Sequence, residues 1–334
     1  MAESPASSQT PPAGPVDLRP LSTSELIDRG FTLYRSHFAG FLLLALLTQA
    51  VPLLSQVFIT AFQLNPSQTE MLEKPILTFE KTGVLLAITL IIQVIVFCFE
   101  VIITFYIAEA YLGKIPSVRT CFQKFRACWV TSIWTCILNR ILISLTCIFP
   151  LLGFFGVYAY AMIYPSQSLL SLILLFVVGL LLIVASLVPL LVVFMRLMVT
   201  IPAMALEGLS GWQAVKRSST LVRYDPGLGI FYWGEMRLSF LLLPLFVIEM
   251  LILSVTSLPI TIHQFGHFFQ HGSGDQVGVP PDSTVIISQV LTFLATSLIV
   301  PLYSIATTLF YYDIRIRREG FDLEFMAGTL GKKE

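Results

Sequence analysis

The chain has 334 residues, 20 Lys and Arg against 20 Asp and Glu, 56% hydrophobic residues and only 12% charged ones. Its mean hydropathy is +0.83. Zero net charge and high hydrophobicity exclude a disordered chain and a basic nucleic-acid-binding module, and so few charges could not cover a soluble globular domain.

Residues 1–20 are rich in Pro, Ser and Ala and read as a flexible tail without the apolar core of a cleaved signal peptide. An amphipathic stretch follows, Ser22 to Phe38, with Ser22 or Ser24 as its cap. A helix needs roughly 20 apolar residues to cross a bilayer. Six segments reach that length: Phe38–Phe62, Gly83–Leu112, Val130–Tyr160, Ser168–Leu206, Ile230–Ile262 and Val285–Tyr312. No run of short alternating segments suggests a membrane β-barrel. The predicted fold is therefore all-α, six transmembrane helices in three hairpins. Residues 21–325 form the membrane domain and 326–334 a short tail.

The loops differ in charge. The N-terminal segment, the loops after spans two and four, and the C-terminal tail hold 15 Lys and Arg, against Lys74 and Lys81 in the other loops. The positive-inside rule puts both termini of this multi-pass cell-membrane protein in the cytoplasm. Three basic segments feed directly into spans: Ser22–Phe38, Pro116–Trp129 and Gly211–Tyr224. Their period is near 95 residues, and the first two hairpins close alike, with Glu109-Ala-Tyr-Leu-Gly and Glu207-Gly-Leu-Ser-Gly. This predicts a threefold repeat of one interfacial helix plus one hairpin. The interfacial helices either fix the angle of each hairpin or sense anionic lipid.

Catalytic signatures are missing: no phosphate loop, dinucleotide fingerprint, HExxH or GxSxG occurs, and no cofactor is implied. The five cysteines are odd in number and lie in spans or on the basic side, which argues against disulfides. His263, His267, His271 and Asp275 recur every four residues. They make either the polar face of an interfacial helix or a metal-binding face. Pro52, Pro150, Pro189, Pro202, Pro244 and Pro301 interrupt spans, as packing kinks or as breaks that line a site.

Charges inside the spans are the candidate site. Glu100, Arg140 and Arg196 each lie eleven residues from an expected basic-side boundary, at Tyr111, Trp129 and Glu207. That predicts a shared depth of about 16 Å. The three form either an ion pair with a snorkelling arginine or a net positive site for an anionic headgroup or solute. Glu249 and Arg237 fall outside this group by the same count.

Span six ends in Pro301-Leu-Tyr-Ser-Ile-Ala-Thr-Thr-Leu-Phe-Tyr-Tyr-Asp-Ile-Arg-Ile-Arg-Arg-Glu-Gly-Phe-Asp-Leu-Glu-Phe325. Together with Ala205–Val222, which holds Glu207, Ala214, Arg217, Ser218 and Leu221, and with Leu21–Phe38, it resembles a bacterial multi-span family. That family is similar to the membrane domain attached to some glycerophosphoryl diester phosphodiesterases. The resemblance covers about residues 20–325 and implies no activity, because the phosphodiesterase chemistry belongs to a soluble barrel that has no room here. The expected function is a non-enzymatic membrane scaffold or accessory subunit linked to lipid or envelope metabolism. A transporter or channel for a small anionic solute or lipid is the alternative. Expected partners are membrane lipids and a membrane or cytoplasmic protein, with no nucleic acid.

Overall fold

A computed structural model describes residues 19–62, 75–163, 169–223, 234–271 and 281–320. Within them the chain is all-α, with ten helices and no strand. These are α1 (Thr23–Ser36), α2 (Phe38–Ala61), α3 (Pro75–Tyr111), α4 (Val118–Ile163), α5 (Leu169–Met198), α6 (Thr200–Glu207), α7 (Trp212–Val222), α8 (Gly234–Thr256), α9 (Leu258–His271) and α10 (Asp282–Glu319). Six segments are long and apolar enough to span a membrane: α2, α3, α4, α5 running into α6, α8 and α10. Their outward faces are apolar, with Leu54, Leu86, Leu181 and Leu251 among the exposed side chains. Such faces suit lipid, since helices satisfy their own backbone groups.

The three amphipathic segments are helical, and backbone breaks set two of them off from their spans. Ser22 caps α1: its hydroxyl accepts from the Glu25 amide, and the Glu25 carboxylate accepts from the Ser22 amide at 2.8 Å. The reciprocal pair satisfies two otherwise unpartnered donors. At His37 (φ −122°, ψ 29°) α1 stops and α2 begins. Helix α4 runs from its amphipathic start straight into the span, with a bend at Cys128 (φ −123°, ψ 15°). The long fourth segment divides at Val199 into α5 and α6. The fifth ends at Thr256, and α9 follows separately.

Hairpin ends are tied to the amphipathic helices that follow them. Glu109 at the end of α3 meets Lys124 on α4 at 2.6 Å, and Glu207 at the end of α6 meets Arg217 on α7 at 2.8 Å. The third hairpin ends in the same way, at Glu319-Gly320, and Glu319 also pairs with Arg217, at 2.6 Å. Gly211 joins α7 to the α4–α5 hairpin. Its φ of +50° is a left-handed value that favours glycine, and a Cβ there would lie 2.5 Å from the Trp134 ring. Its amide donates to Thr135 Oγ1 at 2.9 Å.

Helix α10 is the hub. It packs against α1, α2, α3, α6, α7, α8 and α9, and its Ile305, Leu309, Phe310 and Tyr311 are fully buried. Helices α4 and α5 pack on each other, with α4 also on α3.

Candidate intramembrane site

The basic end of the bundle is a dense polar layer. Asp313 of α10 is fully buried and pairs with Arg237 of α8 at 2.9 Å and Arg317 at 3.0 Å. Its Oδ1 also accepts from the Leu21 amide at 2.8 Å. Around Glu207, the Tyr311 hydroxyl donates at 2.7 Å, and Arg217 bridges on to Glu319. The carboxylates of Glu319 and Glu207 hold the Arg217 guanidinium above its ordinary pKa, so it stays charged.

The structure separates the three charges that boundary counting grouped. Arg196 lies in the last turn of α5, because the break at Val199 makes α6 a separate helix. It pairs at 2.6 Å with Glu235 in the first turn of α8, not with Glu100. The depth of Arg140 also differs. Cys121 sits opposite Glu109, and Cys136 opposite the Gln93 carbonyl, which sets the antiparallel register of α3 and α4. From the Glu109–Cys121 level, Glu100 is about 14 Å in and Arg140 about 28 Å in. The count from Trp129 placed Arg140 too shallow, because α4 is already paired with α3 eight residues before that tryptophan. At this offset Arg140 forms no ion pair with Glu100. Its Nε has no hydrogen-bond partner and lies by a groove between α3 and α4 walled by Ile91, Ile137 and Ile141.

Glu249 belongs with Glu100 instead. A cavity of about 650 Å³ between α3, α5, α8 and α10 is lined by both carboxylates, together with Ser239, Tyr303, Ser304 and Thr307. Phe194, Phe246 and Met195 supply apolar wall. The Tyr303 hydroxyl donates to Glu249 at 2.8 Å. Among the described residues Glu249 has no basic partner within ion-pair distance. Counting from membrane boundaries missed it, but helix register finds it. Arg237 faces Asp313, so ten positions back along α10 and twelve forward along α8 bring Tyr303 to Glu249.

A second cavity, of about 560 Å³, continues along the same seam away from the basic end. Met250 and Thr296 line it, one position from Glu249 on α8 and one turn from Val300 on α10, and both Glu249 and Val300 line the first cavity. Its polar groups are uncharged: Gln49 and Gln56 of α2, and Ser288, Gln289 and Thr292 of α10. Ser288 Oγ and Gln289 Oε1 are buried without a hydrogen-bond partner.

The histidine segment is helical through His271 despite Gly266. The side chains of His267 and His271, and Asp275 as a whole, lie outside the described residues. Among the described residues no three metal-ligating side chains cluster. All five cysteines are free thiols.

Fold and charges together define an all-α, multi-pass membrane protein with acidic and uncharged cavities along one helix seam. Comparison with family models, curated proteins and solved structures finds no match for this chain.

Proposed function

We propose that this is a non-enzymatic protein of the cell membrane that binds a small solute within its helix bundle, as a transporter does, with its basic end and both termini in the cytoplasm. The observation that carries this reading is the pair of cavities stacked along the α8–α10 seam. A protein that serves only as a scaffold needs lipid-facing and partner-facing surfaces, and has no need of two half-open, largely apolar spaces that each hold several hydroxyl, amide or carboxylate groups. Intramembrane ionisable residues that face a cavity mark substrate or ion routes. The ion pairs Arg196–Glu235 and Arg237–Asp313 tie α5, α8 and α10 together at the basic end and suit closure of the seam there. Cytoplasmic termini rest on the charge asymmetry of the loops. The likeness to the phosphodiesterase-associated membrane domain is part of this reading and adds no activity to it.

Ser304 lines the first cavity from α10. Mass spectrometry of small molecules extracted from the purified protein is expected to find a species that the cavity-filling variant Ser304→Phe lacks while remaining folded. Identical extracts from both folded proteins would return the reading to a scaffold.

A further inference from the structure

The signs of the deep charges narrow the solute class. An ionised group in an apolar setting needs a counter-charge or full hydrogen bonding. Arg196 has Glu235 and Arg237 has Asp313 as ion-pair partners, and Arg140 lies by a different groove, between α3 and α4. With Arg196 paired in this way, no positive charge lines the cavity between α3, α5, α8 and α10. What is left over there is negative. Glu249 receives one phenol donor from Tyr303 and no cation among the described residues. It shares its cavity with a second carboxylate, Glu100.

The walls suit the same ligand. Phe194 and Phe246 line the cavity, and aromatic rings attract cations, more strongly where water is excluded. Met195 and Met198 add polarisable, adaptable surface. Both phenylalanines are also exposed on the lipid side, at 39% and 50%, so the cavity has an apolar lateral flank. At about 650 Å³ the space holds an organic molecule far larger than a metal ion, within the range of small-molecule sites. The uncharged cavity beyond it adds hydrogen-bonding groups on the same seam without a competing charge.

Resting on the solute-binding reading above, we infer that the cavity between α3, α5, α8 and α10 binds a lipophilic organic cation, with the Glu249 carboxylate as its counter-ion. The assignment is opposite in sign to the net positive site that was one of the two readings from boundary counting. The cation would be an amine or quaternary centre whose apolar substituents lie against Phe194, Phe246 and the methionines. The Tyr303 hydroxyl holds one carboxylate oxygen in place and leaves the rest of the group for the ligand.

Tetraphenylphosphonium and tetraphenylborate are nearly isosteric and opposite in charge. Equilibrium dialysis of each against the detergent-solubilised full chain, corrected for empty micelles, is expected to show at least tenfold tighter binding of the cation. Glu249→Gln should weaken cation binding at least tenfold and leave the borate unchanged, and Glu249→Asp should retain most of the affinity. The wild-type comparison needs no variant, so a Glu249→Gln protein that fails to fold leaves the test intact. Equal binding of the two ions, both expelled by Ser304→Phe, would overturn the cation assignment and leave the solute cavity standing. Absence of binding by either ion, with Ser304→Phe also extracting the same small molecules as the parent, would overturn both.

Discussion

Asp313 holds three partners from three parts of the chain: Arg237, Arg317 and the Leu21 amide. Its carboxylate is fully buried and Arg237 is only 12% exposed, so removing it strands charge in a place water cannot reach. Asp313→Ala should therefore cost about 3–5 kcal/mol, the range for breaking a buried pair from one side. The pair Lys124–Glu109 is shorter, at 2.6 Å, but its lysine is 49% exposed. Lys124→Ala should cost less than about 1 kcal/mol, as exposed pairs do. Thermal unfolding in one detergent compares the two, and equal shifts would refute the ranking. One contact of Asp313 is legible in the sequence, because Arg317 lies four residues on along a helix. Arg237 and Leu21 are not, since they meet Asp313 only through the packing of α8 and α1 on α10. Glu249 shows the same limit. A glutamate in an apolar run is visible at once, but the tyrosine that meets it depends on helix register, which no local pattern encodes.

At the scale of elements, apolar length and capping chemistry were sufficient to place the six spans and the start of α1. The helix breaks were harder. Hydropathy runs unbroken through Val199, and the one local signal is Pro202, which has no amide to give the Met198 carbonyl where α5 ends. Arg196 stands just before that break and pairs with Glu235. Helix α1 also carries a pH dependence. Hydrogen bonds from the Ser22 amide and hydroxyl, then the charge of Arg19, hold the Glu25 carboxyl below its ordinary value of 4.5. A carboxylate with a lowered folded-state pKa stabilises the fold above the unfolded value, and that contribution fades as pH falls through the lowered one. Amide hydrogen exchange in the first turn of α1 should therefore be constant from neutral pH to about pH 5, after correction for intrinsic rates, and quicken below 4.5. Glu25→Gln should abolish that step. A step that persists in the variant would assign it to another group.

The whole molecule has a polarity that can be measured directly. Lys114 is exposed between α3 and α4 at the basic end, and Gln264 is exposed on α9 at the far end. In a variant lacking the five native cysteines, a single cysteine at position 264 should react with an impermeant thiol reagent added to intact cells. One at position 114 should react only after permeabilisation. The reverse pattern would invert the proposed orientation, and reaction at both in intact cells would contradict the six-span arrangement. Charge counting made this axis legible before any coordinates, because loop charge is a local property. The arrangement around α10 was not legible, since six apolar helices can be ordered in many ways with the same hydropathy.

The bond between Leu21 and Asp313 also concerns time. Chains are made from the N-terminus onward, so α1 emerges long before α10 exists. Until then the Leu21 amide has no Asp313 to bind, Leu26 and Gly30 lack the helix that buries them, and Arg237 waits in α8 without its carboxylate. The first helix is thus completed by the last. A chain that ends before α10 leaves Arg237 without the Asp313 carboxylate, a charge with no counter-ion from that helix. Assembly is in this sense closed by a clasp that fastens only once α10 is in place.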